Sequence, residues 1–166
     1  MKFKFSLIFI ALMLVTSLCG CTFSEKGATI YAFTQRMNVL CEDYELTTDG
    51  YIFNKENNTY TKFFSFNENH IMLQFTCNDK NETSSLDIVF DNLQENNTAE
   101  LTFIKNSIFA FINDEVVTQE LLETLSFDDI LYSPDINTKN AKIGNIEAFV
   151  DVTEIGTVIT VVQNNP

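Results

Sequence analysis

Apolar residues recur along this chain with two different periods, and the change of period predicts its helices and strands. Over residues 28–41 they return every three or four positions, which places them on one face of an amphipathic helix. The same spacing predicts a second helix over 97–113, where Asn97 and Glu100 stand at the separation of a capping box. A third helix is expected over 118–125, with one further turn directly after it.

A period of two replaces the helical period between the first two helices and indicates strands. Residues 44–91 are predicted to form a meander of four or five antiparallel strands, and Asp49-Gly50 within it is a two-residue hairpin signal. Nearer the C-terminus, 146–152 and 158–162 form a predicted hairpin, whereas 134–142 are polar and are expected to be irregular. The inward face of the clearest strand is expected to carry Ile71, Leu73, Phe75 and Cys77.

The order of these elements predicts a single α+β domain over residues 28–163, followed by a short tail at 164–166. The order is one helix, four or five strands, two helices and two strands. Segregated helices and strands are typical of one antiparallel sheet that is covered by helices on one face. We therefore expect the meander and the C-terminal hairpin to share one sheet, with the helices packed on one side of it.

The first twenty-one residues have a different pattern. Lys2 and Lys4 form a basic start, and an apolar run of about fourteen residues follows over 5–18. A membrane-spanning helix needs about 20 apolar residues, so the run is too short to be a permanent anchor. The segment is therefore predicted to be a secretory signal, and it closes with Leu18-Cys19-Gly20-Cys21.

Leu18-Cys19-Gly20-Cys21 resembles the lipobox of bacterial lipoproteins, with a leucine three residues before a cysteine and a small residue directly before it. The resemblance implies a signal peptide at 1–20, a thioether-linked diacylglycerol on Cys21 carrying acyl chains such as palmitate, and a lipid-anchored linker at 21–27. It also implies a location on the extracytoplasmic face of a bacterial cell membrane. Cys19 stands where this family usually has a small aliphatic or hydroxyl residue. The alternative is an ordinary secretory signal with cleavage near Gly20 and no lipid.

The chain is strongly acidic, with a formal net charge of −13. Removal of residues 1–20 lowers the number of basic residues from 10 to 8 against 23 acidic ones, which leaves about −15. Such a domain repels nucleic acid and anionic lipid headgroups, so no nucleic-acid partner is expected and membrane contact is expected only through the lipid on Cys21. Cationic partners are favoured, although high charge also serves solubility alone.

Two cysteines remain outside the signal and the predicted lipid site. Cys41 lies on the predicted inward face of the first helix, and Cys77 lies on the inward face of the clearest strand. Outside the cytoplasm such a pair can oxidise to a disulfide if the helix packs on the sheet beside Cys77. Two buried, reduced thiols are the alternative, because cysteine also packs well as a small apolar residue.

Motifs for catalysis are scarce, and no catalytic, cofactor-binding or metal-binding residues are predicted. His70 is the only histidine and is expected at the start of a strand, on its outward face. The chain has no serine elbow, no phosphate-binding loop and no zinc-ligand spacing. Asp135 begins a segment like a calcium loop, but Lys139 then stands where an oxygen ligand belongs.

An aromatic run at 60–66 is the remaining feature that bears on function. Because strand residues alternate between faces, Phe63 points away from the other aromatic residues of the run. Tyr51 and Phe53 on the neighbouring strand extend this predicted exposed aromatic surface, unless a second layer covers it.

These features together predict a lipid-anchored membrane-surface protein that acts as a binding or interaction module, with a protein or small-ligand partner that the sequence does not name. Two alternatives stay open. One is a small envelope enzyme whose residues converge only in the fold, and the other is a structural accessory subunit of an envelope complex.

Overall fold

The computed structural model describes residues 29–41, 45–66, 69–94, 97–132 and 137–164. The helices are α1 (Ile30–Leu40), α2 (Thr98–Ile112), α3 (Glu115–Leu125) and α4 (Phe127–Leu131). The strands are β1 (Ile52–Asn54), β2 (Thr59–Phe66), β3 (Asn69–Cys77), β4 (Thr83–Phe90), β5 (Asn137–Ile143), β6 (Ile146–Val152) and β7 (Thr157–Gln163). None of the helices in these ranges is long and apolar enough to cross a membrane.

All seven strands belong to one antiparallel sheet in the order β1-β2-β3-β4-β7-β6-β5. The predicted α+β class and the single sheet are confirmed, and so is the broad order of helix, strands, helices and strands. The meander β1–β4 joins the C-terminal strands where β7 pairs with β4. Gly156 lies at that junction, and a Cβ atom at this position would come within 2.7 Å of the carbonyl oxygen of Phe90. The close approach explains why the turn before β7 carries a glycine.

One face of the sheet forms the core together with the helices. The predicted inward face of β3 is buried as expected, and the aromatic ring of Phe75 at its centre meets the ring of Phe33 from α1 edge-on, with centroids 4.8 Å apart. Helix α2 has eight buried residues, more than any other described helix, because apolar residues occur around most of its circumference. The inward residues of the other central strands are Leu86, Ile88, Phe90, Ala148, Val150, Ile159 and Val161.

Helix capping follows the usual pattern at the start of α1 but differs from the prediction at the start of α2. Thr29 caps α1 by accepting from the backbone N–H of Ala32 at 3.1 Å. Asn97 makes no such bond at the start of α2, so the predicted capping box is wrong. Glu100 is buried instead, and its carboxylate accepts from the amide of Asn69 at 2.9 Å. The acidic side chain therefore ties α2 to the start of β3.

Two strand predictions need correction. Residues 45–48, expected to pair across Asp49-Gly50, form no strand, and the carbonyls of Thr47 and Asp49 accept from the ammonium of Lys62 at 2.7 and 2.8 Å. Residues 137–143, expected to be mostly irregular, form the edge strand β5. An edge strand has only one neighbour and needs few apolar residues, so its sequence lacks the pattern of a buried strand.

Candidate functional site

A cleft of about 510 Å³ opens on the helical side of the molecule, where the C-terminal end of α1 meets α2, α3 and α4. We call it the helix cleft. Its lining residues are Leu40, Lys105, Asn106, Phe109, Glu115, Thr118, Gln119, Leu122, Glu123, Ser126, Phe127, Asp128 and Asp129.

Two left-handed residues set the helices at angles that leave this space. Asn113 ends α2 with φ 57° and donates its N–H to the carbonyl of Phe109 at 2.8 Å. Asp114 then caps α3 by accepting from the N–H of Val117 at 3.1 Å. Ser126, with φ 50°, ends α3 and turns the chain into α4. The helices are thus joined by single-residue or two-residue turns and cannot lie in one continuous line.

Apolar side chains form the floor of the helix cleft, and a polar link closes it on one side. The floor consists of Leu40, Phe109, Leu122 and Phe127. The amide of Asn106 donates to the carbonyl of Leu40 at 3.2 Å and contacts the sulfur of Cys41 at 3.3 Å. This contact holds the end of α1 against α2 and closes the floor on the α1 side.

Carboxylates dominate the rim. Lys105 is the one basic residue among the lining residues, and its ammonium bonds Asp128 at 2.6 Å. The amide of Gln119 donates to Glu123 at 2.9 Å, which fixes that carboxylate at the opening. With Glu115 and Asp129 the rim carries four acidic side chains against one ammonium, so its local charge is negative.

This combination determines what the helix cleft is able to hold. Its volume falls in the range of about 300–1,000 Å³ that is usual for small-molecule sites. An apolar floor below an acidic rim favours a ligand with an apolar body and a cationic head, because both parts then find complementary surroundings. In the described part of the chain, no group of three or more His, Cys, Asp or Glu side chains is arranged to hold a metal ion.

A second pocket, of about 410 Å³, lies at the other end of α1 and is lined by Tyr31, Tyr51, Tyr60 and Cys77 among others. The Oη atom of Tyr51 is buried and has no hydrogen-bond partner among the described residues. Burial raises the pKa of Tyr51 to about 12, and the hydroxyl of Thr34 lowers it to a smaller extent. The hydroxyl of Thr34 itself donates to the carbonyl of Ile30 at 2.8 Å.

The three residues predicted to form an exposed aromatic surface are not brought together. Phe63 is 61% exposed and lies on the face of the sheet opposite the helices. Phe53 pairs with Tyr60, stacks on its ring at a centroid distance of 4.6 Å and therefore belongs to the helical side. Tyr51 turns inward against Phe75, with centroids 6.0 Å apart. Phe63 thus stands apart from the other two.

Cys41 and Cys77 are both free thiols in the structure. Cys77 lines the same pocket as Thr29 and Ile30 at the start of α1, whereas Cys41 follows the last residue of that helix. The 11 residues of α1 extend over about 16 Å at 1.5 Å per residue. A disulfide requires Cα atoms within about 7 Å, so the arrangement observed here does not form one. Burial raises the pKa of the Cys77 thiol.

The structure also locates other residues that the sequence pointed to. His70 is exposed near the start of β3, on its outward face. Lys139 points to the helical side, where its ammonium donates to the carbonyl of Leu125 at 3.1 Å. Cys21, the predicted lipid site, and Asp135 lie outside the described residues.

Sequence reasoning missed the helix cleft. The acidic residues of its rim looked like solvated helix ends, because no periodicity shows that two turns bring α2, α3 and α4 around one space. The available signal was a set of acidic positions on consecutive short helices, combined with an apolar residue, Leu122, beside the predicted inward residues Leu121 and Leu125. Comparison with family models, curated proteins and solved structures finds no match to this chain.

Proposed function

We propose that this protein is a lipid-anchored binding module on the extracytoplasmic face of a bacterial membrane, and that the helix cleft receives its ligand. The ligand class is a small amphiphilic cation, with an apolar body and an amine or similar head group. The single observation that carries the binding function is the apolar floor of the cleft beneath a rim of four carboxylates and one paired ammonium.

The location rests on the resemblance of Leu18-Cys19-Gly20-Cys21 to the lipobox. Two acyl chains on Cys21 would hold a small domain durably, since each buried methylene contributes about 0.8 kcal/mol. A negative net charge alone would drive the domain away from anionic headgroups. The lipid is therefore the feature of this proposal that keeps the chain at the membrane.

Fractionation with labelled palmitate tests the anchor. The unchanged chain is expected to incorporate the label and to sediment with membranes, whereas Cys21→Ala should lose both properties. Cys19→Ala is the matched control, because it removes a neighbouring thiol and should keep the label. Membrane association of Cys21→Ala together with the absence of label in both forms would contradict the anchor.

A matched series of ligands tests the cleft. Octylamine, octanol and octanoate share one alkyl chain and differ in charge, so we expect affinity to fall in that order. Nuclear magnetic resonance shifts should concentrate on the lining residues, such as Phe109 and Leu122. Gln119→Trp should block binding by filling the opening, whereas Val116→Trp should not, because Val116 is 74% exposed on α3 outside the lining. Equal binding of amine and carboxylate would refute the ligand class.

A further inference from the structure

The sheet has a second face, which the described helices do not cover. We call it the open face. In β2, β3, β4, β6 and β7 its side chains are half-buried or exposed, apart from the buried Thr59 at the start of β2, in contrast to the buried residues that alternate with them. The half-buried and exposed side chains are Thr61, Phe63, Ser65, His70, Met72, Gln74, Thr76, Ser85, Asp87, Val89, Glu147, Phe149, Asp151, Val158, Thr160 and Val162.

A row of apolar side chains crosses the open face. The strand register places Phe63 beside Met72, Met72 beside Val89, and Val89 beside Val158. Neighbouring strands lie about 4.8 Å apart, so these four residues on β2, β3, β4 and β7 extend over about 14 Å. Phe149, which is 38% exposed, adds apolar area on β6. A row of this kind is unusual on a sheet face that meets only water.

Two carboxylates border the apolar row and are held in fixed positions. Asp151 stands opposite Val158 and accepts from the hydroxyl of Thr138 at 2.8 Å. Asp87 lies two residues before Val89 on the same strand and accepts from the hydroxyl of Thr160 at 2.7 Å. Among the described residues neither carboxylate has a salt-bridge partner. Each therefore presents a negative charge beside apolar surface with its orientation already set.

The remaining charges of the open face do not reverse this sign. Glu147 stands directly opposite Lys142 in the register, so that pair contributes little net charge. A second copy of the chain would bring its own net charge of −13 against these carboxylates, and nucleic acid or an anionic bilayer would be repelled in the same way. Charge complementarity thus selects a basic occupant.

We propose that the open face docks a basic partner protein through an amphipathic segment. Apolar side chains of that segment cover the row from Phe63 to Val158, and its lysines or arginines pair with Asp87 and Asp151. Seven strands at the usual spacing, each about seven residues long, present roughly 650 Å². That area is close to the roughly 800 Å² that each partner contributes to a standard protein interface. The surface is separate from the helix cleft and does not depend on the ligand proposed for it.

Photo-crosslinking in the native host identifies what covers the face. A photoreactive amino acid replaces Phe63 in the full chain, and the same group at Val116 on α3 is the control, since both positions are more than 60% exposed. The expected result is an adduct with a basic protein at the first position and not at the second. Adducts only with a second copy of the chain, only with lipid, or the absence of any adduct would overturn the proposal.

Affinity measurements then test the charges with a defined probe. The probe is a synthetic leucine-lysine amphipathic peptide, and a leucine-glutamate peptide of the same pattern is its control. Asp87→Asn with Asp151→Asn should weaken binding of the lysine peptide about tenfold and reduce its salt dependence. Glu123→Gln with Asp129→Asn removes the same charge from the helix cleft. This variant should change the affinity for the lysine peptide by less than about twofold.

The variants that lose affinity for the lysine peptide show which of the two surfaces binds it. If only the helix-cleft variant weakens the lysine peptide, or if the glutamate peptide binds equally well, the open face is not the docking surface. Circular dichroism confirms that each variant is folded. Should the double variant on the open face fail to fold, Phe63→Ser removes apolar area at an exposed position and is expected to weaken the same peptide several-fold.

Discussion

Tyr51→Phe is the most direct test of the buried environment at the start of β1. The ring of Tyr51 lies edge-on to Phe75 and beneath the ammonium of Lys62, which is 5.0 Å from the ring centroid. Its hydroxyl is buried without a hydrogen-bond partner in the described residues, and burial raises its pKa from 10.0 to about 12. Phenylalanine keeps the ring contacts and removes only the hydroxyl.

Because the pKa of Tyr51 is raised in the folded protein, the free energy of unfolding is expected to fall at alkaline pH. Below about pH 10 the phenol is neutral in both the folded and the unfolded chain, so its contribution is fully present. Between about pH 10 and 12 the unfolded chain releases the proton first, and the free energy of unfolding falls. A difference of two pKa units corresponds to a loss of about 2.7 kcal/mol once the pH exceeds the folded value.

Urea unfolding followed by circular dichroism, repeated from about pH 8 to 12, measures this loss. We expect Tyr51→Phe to remove about 2.3 kcal/mol of the alkaline decline up to about pH 12, where the folded phenol is half ionised. Stability at about pH 8 should be unchanged or about 1 kcal/mol higher, since an unpaired buried hydroxyl is costly. Tyr31→Phe is the control, because Tyr31 is 64% exposed. A variant at Tyr51 that keeps the full decline, or that loses more than about 1 kcal/mol at pH 8, would refute the reasoning.

Three further outcomes can be measured. Arg36→Gln should lower the free energy of unfolding by about 1.5–3 kcal/mol in urea titrations, because the guanidinium donates at 2.7 Å to a carbonyl in the last turn of α2; an unchanged midpoint would contradict that role. In native protein, Cys41 should react with a thiol reagent before Cys77, since Cys77 is 6% exposed and burial raises its pKa. Mass spectrometry of the first adduct shows which of the two cysteines carries the reagent, and modification of Cys77 first would contradict the prediction. Gly156→Ala should cost about 2 kcal/mol or more through its contact with the carbonyl of Phe90, as a lowered melting temperature would show.

The parts of the fold that the sequence predicts are those in which one face is buried along a whole element. In β3 every second residue enters the core, so a period of two identifies both the strand and its inward face. In β5 the residue with clear burial is Ala141, and the lysines and asparagines around it are typical of a loop. Edge strands are specified by their neighbour, which a single sequence does not reveal.

The candidate site was harder to predict because its parts are distant in sequence. Periodicity identifies Phe63 as outward, and the structure agrees. Whether Phe53 shares its face depends on the register of β1 with β2, and the observed register places Phe53 opposite Tyr60 on the other face of the sheet. The helix cleft depends on two left-handed residues, Asn113 and Ser126, neither of which is a glycine.

Helix α1 also determines how far each of the two pockets lies from the proposed lipid anchor. Its first residue follows Cys21 by nine positions, so the chain enters the domain within about 32 Å of the proposed lipid at full extension. The tyrosine-lined pocket surrounds that entry point, while Leu40 in the helix cleft lies about 16 Å further along the helix. With the proposed lipid on Cys21, the start of α1 is the end of this helix nearer to the anchor. The proposed anchor would therefore leave the helix cleft farther from the lipid than the tyrosine-lined pocket, and so more accessible to a ligand that arrives from the side away from the bilayer.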